Sequence, residues 1–379
     1  MNESNATTNS YDVDSEDTNY LHVIIVKYIA PTLIAFIVLV GFLGNSLVIY
    51  VIKTRPKLRT VTNMLLLNLA VADLSFLLIC PPFTAYVYAT SEWPLSGLPG
   101  QLLCKVMHYL LNVTVYVTIY TLVLISGVRY VSVVFHHVAK EIACKRNVLV
   151  AIFAIWLVML ASNSYLLVFY SVDTTLEVPM CDCSVRFGRI HFLCFFILAY
   201  LLPLIVIAIF SLCILAHMQK PSSSVAAQKK SSQQRKKQVS GILIMVVVVF
   251  AIFWLPIHLH LIYSYWIEIP DNKVYVAFSM LWNCLAYLNS CANPIIYNIA
   301  SKDFRDSFYE VVFCRTHNSN SGGSLRGKSR AEEATRLCAA KPTEVIRNGD
   351  NLNECEEHHM TGATTISAED NETIAVTSL

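Results

Sequence analysis

Apolar residues in this chain gather into long blocks, interrupted only at wide intervals by a charge. No charge lies between Lys27 and Lys53, Arg146 and Asp173, Arg189 and Lys220, Lys237 and Glu268, or Lys273 and Lys302. Between Arg59 and Glu92 there is only Asp73, and between Lys105 and Lys140 only Arg129. Each block exceeds the roughly 20 residues a helix needs to cross the hydrocarbon core of a bilayer. A bilayer offers backbone groups no water, so each block is predicted as a helix that closes its own hydrogen bonds. A buried core helix could account for one such run, but not for seven in series. The pattern predicts an all-α membrane protein, a seven-transmembrane helix bundle over 23–301.

The flanks read differently. Residues 1–22 are polar and acidic, an extracellular arm without the basic start and apolar stretch of a cleavable signal peptide. At 302–314, Phe304, Phe308 and Val311 recur at helical spacing among charges, which predicts a short amphipathic eighth helix on the inner leaflet. Residues 315–379 are mixed charged and Ser/Thr-rich, a flexible cytoplasmic tail with no core-forming pattern. No internal repeat is visible.

Composition agrees. Charged residues make up 14% of the 379, against about 25% in an ordinary soluble domain. Their placement sets orientation. Loops 53–60, 135–146 and 217–238 hold 13 Lys or Arg and one acid, Glu141, whereas the N-terminal arm and the other three loops carry a net −6. The positive-inside rule then places the N-terminus outside and the tail in the cytoplasm, as expected of a multi-pass plasma-membrane protein. Asn2 and Asn5 head glycosylation sequons on that outer side.

Two charges remain inside the blocks. Placing one at helix-centre depth costs about 2.5–3.5 kcal/mol, so each needs a reason. Arg129, near the inner end of the third block, could snorkel. Asp73, mid-span, could not, and it needs water, a cation or polar partners. Its own span offers chiefly Asn68; Asn45, Thr118, Asn289, Ser290 and Asn293 are polar breaks in other spans.

Seven short motifs complete this picture: Gly44-Asn45, LNLAVAD ending at Asp73, Arg129-Tyr130, Trp156, Pro203, FWLP over 253–256 and NPIIY over 293–297. In order and on successive spans, they resemble the rhodopsin-like, class A G-protein-coupled receptors. The resemblance covers about residues 23–314. It implies a sodium pocket from Asp73, Thr118, Asn289, Ser290 and Asn293, an oxygen-rich set suited to an allosteric Na+ that favours the inactive state. It also implies an activation switch comprising Arg129, Tyr130, the packing set Pro203, Ile119 and Phe250, the pivot Trp254, and Pro256, Pro294 and Tyr297. The three prolines remove backbone bonds about which helix ends can swing.

Cysteines add one expectation. Cys104 opens the third span on the oxidising side, so a disulfide to Cys181 or Cys183 is expected, as in the family. Cys181 and Cys183, one residue apart, make a poor zinc site. Cys314 is a palmitoylation candidate.

Absences narrow the ligand. An amine receptor carries Asp eighteen residues before the third-span Arg, and here that position is Leu111; an opsin carries Lys where this chain has Tyr287. CKVMHY (104–109) and the run from Val246 to His258 resemble galanin and allatostatin-A receptors, implying an extracellular neuropeptide and heterotrimeric G-protein coupling, with no enzymatic activity. Ligand-binding candidates are His108, Tyr109, Tyr116, His258, Tyr263, Trp282 and Tyr287, whose rings with polar tips suit aromatic and amide groups; an interfacial aromatic belt accounts for part of the set. His260, Tyr265 and Trp266 belong to the same outer group.

Three positions depart from the family. Val128 replaces the acid before Arg129, Lys236 stands where many members carry a second acid, and Ser211 replaces a Tyr eight residues after Pro203. The first two changes are expected to weaken the inactive state and the third the active state; His137, at an inner-loop site usually bulky and apolar in the family, disfavours stimulatory coupling, and inhibitory G proteins are the expected partners. In the tail, Thr365, Ser367, Glu369 and Asp370 resemble the phosphate and acid spacing that arrestins bind after receptor kinases act. Thr377-Ser378-Leu379 matches a PDZ ligand. Nothing points to nucleic acid. Within the receptor class, another peptide or a small molecule is the alternative. A seven-helix transporter or channel would instead require more membrane charges and repeat symmetry.

Overall fold

A computed structural model describes residues 23–90, 92–174, 179–219, 226–267, 273–300 and 302–312, all within the first of two compact units, Met1–Pro342. The arm with Asn2 and Asn5, Cys314, the Thr365–Asp370 pattern and Thr377, Ser378 and Leu379 lie outside the described residues.

Seven long helices account for the seven blocks. They are α1 (Ala30–Thr54, entered through a π-helical turn at Ile25–Ile29), α2 (Val61–Thr90), α3 (Gly97–Val134), α4 (Lys145–Ser162), α5, α6 (Ala226–Trp266) and α7 (Lys273–Ala300). α5 runs from Val185–Phe196 through a π-helical turn, Ile197–Leu201, into Leu202–Gln219. That turn ends two residues before Pro203, where the ring removes a backbone donor and a wider turn absorbs the mismatch. Six of the seven are long and apolar enough to cross a membrane. α7 falls short because Asn283, Asn289 and Asn293 interrupt it; Asn289 and Asn293 are buried. Its polarity thus faces the bundle and not the lipid. The chain is a multi-pass helical membrane protein.

Packing follows from where side chains are small. A methyl group on Gly41 of α1 would approach Leu77 Cδ1 of α2 to 2.6 Å and Cys291 Sγ of α7 to 2.9 Å, so the missing side chain sets the spacing of three helices. Lipid-facing positions are apolar throughout, as Phe36, Phe153, Leu212 and Ile252 illustrate. Burial therefore selects the inward faces by polarity and fit, since lipid and core are equally apolar.

Two connections differ from the simple loops expected. The segment after α4 contains an antiparallel hairpin, β1 (Tyr170–Asp173) and β2 (Met180–Cys183), with Tyr170 opposite Cys183 and Val172 opposite Cys181. The inner segment read as a loop over 217–238 is largely helical: α5 continues to Gln219 and α6 begins at Ala226. Ala, Lys, Gln and Arg are strong helix formers, so α6 extends past the apolar block. The amphipathic helix appears as α8 (Lys302–Val312). Its apolar stripe packs on the bundle, with Phe304 buried 6.3 Å from the ring of Tyr297. Arg55 and Glu310 form an ion pair at 3.6 Å between the end of α1 and α8. Both ends are about a third exposed, and such pairs contribute little.

Candidate functional site

The buried acid finds its partners on α7. Asp73 is 1% exposed. Its Oδ1 accepts from the Ser290 hydroxyl at 3.0 Å and its Oδ2 from the Asn293 amide at 2.7 Å. Asn45 of α1 donates to the Ser290 carbonyl at 2.9 Å, tying a third helix to the same point. Thr118 and Asn289 are buried, but neither hydrogen-bonds Asp73 among the described residues. Asn68, the nearest polar neighbour by sequence, is engaged elsewhere. It accepts from Trp156 Nε1 at 2.9 Å and donates to Thr121 Oγ1 at 2.8 Å, knotting α2, α3 and α4 together. Asp73 and Asn68 lie five residues apart, which turns them to different faces of α2.

The donor set fits a small hard cation. The Ser290 hydroxyl and the Asn293 amide meet the Asp73 carboxylate in the buried interior, and two hydrogen bonds leave that carboxylate with lone pairs to spare; Thr118 and Asn289 are buried as well.

Above this level sits an aromatic core. Ile119 and Phe250 are fully buried and Pro203 is buried. Phe250 lies 5.9 Å from Trp254, which lies 5.9 Å from Phe76 and 6.0 Å from His258. Tyr287 is buried, donates to Thr84 Oγ1 at 2.8 Å and meets Phe76 edge-on. Tyr116 packs edge-on to Phe195, which lies 4.8 Å from His258 and 6.0 Å from His191.

His258 and His191 are 1% and 4% exposed, and among the described residues the Nε2 of each has no partner; neither does Trp254 Nε1. His191 Nδ1 lies 3.1 Å from the Tyr165 hydroxyl. The sequence reading missed His191, Tyr165 and Phe195. For His191 and Phe195, ring spacing on α5 was the one signal, submerged in an apolar run; Tyr165, just past the end of α4, had none.

Of the other ligand candidates, His108 reaches this cluster through Tyr170, whose ring lies 6.4 Å from His191. His108 stacks on Tyr170 at 4.0 Å, with Nδ1 2.9 Å from the Cys104 carbonyl. Tyr109 donates to the Leu160 carbonyl of α4 at 2.9 Å. Tyr263 is exposed, and Trp282 stacks on Phe278 at 5.7 Å.

The disulfide joins Cys104 to Cys181, leaving Cys183 as a buried free thiol. The possible ligand atoms of Cys104, His108 and Cys181 lie within 4.8 Å of one another. The sulfur–sulfur bond leaves neither cysteine as a thiolate, so the trio lacks the chemistry of a metal site. Burial pushes the Cys183 thiol above its ordinary range, as it does the Tyr170 hydroxyl opposite.

At the other end of α3, Arg129 forms no ion pair among the described residues, and its buried Nε has no partner. Tyr130 stacks on Phe210 of α5 at 5.3 Å and meets Phe135 edge-on at 5.6 Å. Tyr297 is buried, its hydroxyl unpartnered.

A family model for the 7 transmembrane receptor (rhodopsin family) matches residues 44–297. The chain belongs to this family of G-protein-coupled receptors. The receptor is 33% identical to an allatostatin-A receptor of Bombyx mori over 86% of its own chain and 90% of the relative's. It is 32% identical to the galanin receptor type 1 of Rattus norvegicus, over 81% and 88% of the two chains. With the galanin receptor type 2 of Mus musculus it shares 34%, over 75% and 76%. These relatives are receptors of the neuropeptide type and not enzymes. The buried acid on α2, the aromatic core and the bridged hairpin are therefore parts of a receptor.

Proposed function

We propose that this receptor binds an extracellular peptide of the galanin or allatostatin-A class and activates heterotrimeric G proteins, with inhibitory ones as its partners. Identity to peptide receptors along most of the chain carries the reading. The outer aromatic cluster supports it, because Tyr116, His191 and His258 present rings and hydrogen-bonding tips without an amine-binding acid. Charge asymmetry between the two sets of loops supports an extracellular N-terminus and a cytoplasmic tail. The tail then meets receptor kinases, arrestins and a PDZ protein, Cys314 carries palmitate, and Asn2 and Asn5 carry glycans.

The test is a screen of allatostatin-A and galanin peptides, with other amidated peptides, on receptor-expressing cells. Nanomolar activation by one class, abolished by pertussis toxin, is the expected result. Activation by a non-peptide alone would overturn it.

We also propose Na+ as an allosteric ligand at Asp73. Donor chemistry supports it: the Asp73 carboxylate and the Ser290 hydroxyl supply hard oxygens in a buried setting, with the Asn293 amide beside them.

A further inference from the structure

At the outer end of the bundle, Asp182 lies on β2 between bridged Cys181 and free Cys183. Strand alternation turns it away from Cys183, and it is exposed where Cys183 is buried. Its Oδ1 accepts two hydrogen bonds, from the Tyr265 hydroxyl at 2.5 Å and from the Cys183 N–H at 2.7 Å. Among the described residues no donor reaches Oδ2 and no base pairs with the carboxylate.

Tyr265, which orients Asp182, is itself fixed by α5. Its ring occupies the space that Gly188 leaves free: a Cβ there would lie 2.2 Å from Cδ1 and Cε1. Phe192 packs 4.8 Å from the same ring. Arg189 donates from Nε to the Tyr265 carbonyl at 2.8 Å, and its guanidinium lies 5.7 Å from the Trp266 ring centre. Arg189 is thus engaged by a carbonyl and an aromatic face, and among the described residues the Asp182 carboxylate forms no ion pair. Deeper along the same helices, three residues beyond Gly188 and seven before Tyr265, His191 and His258 leave buried nitrogens unpartnered.

We propose that Asp182 is a specificity-determining residue that pairs, through Oδ2, with a guanidinium or ammonium group of the ligand. The inference rests on the peptide-receptor reading and adds the charge of one ligand group to it. Two donors on Oδ1 hold the acceptor in place beforehand, so little ordering is lost on binding. A guanidinium gains a charge-assisted bond that an uncharged isostere cannot make.

The experiment uses amidated allatostatin-A and galanin peptides in matched pairs, each Arg replaced in turn by citrulline and each Lys by norleucine. Binding is measured on the full-length receptor and on the Asp182→Asn variant, with surface expression monitored. For one replacement, affinity at the wild type should fall at least tenfold, and Asp182→Asn should bind both members equally, at the level of the uncharged peptide. Gly188→Ala and Tyr265→Phe should retain only part of the preference, because they disturb the carboxylate without removing it. An undiminished preference in Asp182→Asn would overturn the assignment, as would a wild type indifferent to every replacement. If no peptide of either class binds the wild type, the peptide reading fails and this inference falls with it.

Discussion

Tyr130 stacks on Phe210 with ring centres 5.3 Å apart and 26° between planes, pinning the C-terminal end of α3 to α5. The contact stands where this receptor lacks charge: Val128 precedes Arg129 in place of an acid, and Arg129 has no ion pair among the described residues. We propose that aromatic packing here supplies part of the restraint on Arg129. Such a pair contributes about 0.5–1.5 kcal/mol. Tyr130→Ala or Phe210→Ala should therefore raise ligand-free G-protein activation about two- to tenfold, read by nucleotide exchange in membranes. Val128→Asp should lower it. Unchanged basal exchange in all three would remove the stack from the switch.

Sodium supplies a second test. On the proposed Na+ site, agonist affinity at the wild type should fall as NaCl replaces an equimolar organic cation, the outcome expected of an ion that favours the inactive arrangement. Asp73→Asn should abolish that dependence while retaining hydrogen bonds to Ser290 and Asn293. A sodium response that survives the substitution would place the ion elsewhere.

For the cysteines, Cys104→Ser and Cys181→Ser should each lose surface expression or ligand binding, whereas Cys183→Ser should retain both. Removing a native disulfide costs about 2–5 kcal/mol. Burial raises the Cys183 thiol, so less thiolate is present at neutral pH than for an ordinary cysteine. Alkylation of Cys183 in the intact receptor should be slow at pH 7.4 and accelerate as pH rises above the usual thiol range. Rapid labelling at neutral pH would contradict the buried placement.

The knot of Asn68, Trp156 and Thr121 predicts an asymmetry. Hydrogen bonds between membrane helices contribute about 0.6 kcal/mol on average. Trp156→Phe should lower the detergent melting temperature slightly. Asn68→Leu should lower it more, since it strands the indole N–H of Trp156 and removes the bond to Thr121, whose hydroxyl keeps only its donation to the Val117 carbonyl.

Much of this was legible in the sequence because a bilayer punishes charge uniformly. Seven charge-poor blocks became seven helices, and the one mid-span acid met Ser290 and Asn293, both read as polar breaks. What escaped depended on side-chain direction. Asn68 was nearest to Asp73 along the chain yet points toward Trp156 and Thr121. His191 and Phe195 lay inside an apolar run whose inner and outer faces look alike on paper. The choice between Cys181 and Cys183 turned on hairpin register, which no spacing of cysteines encodes. Tyr265 was read as one of the outer aromatics, but its seat against Gly188 is a close approach between two helices that no sequence pattern encodes.

The bonds from Tyr265 to Asp182 and Arg189 acquire a mechanical meaning from the position of Pro256 within α6. Ten residues separate that proline from Trp266 and thirty separate it from Ala226, arms of about 15 Å and 45 Å at helical rise. A helix pivoting at its proline is an unequal lever, and a ligand that tugs the short arm by about 1 Å moves the long arm by about 3 Å. The gain of the receptor is thereby written into where one imino acid falls along forty-one residues.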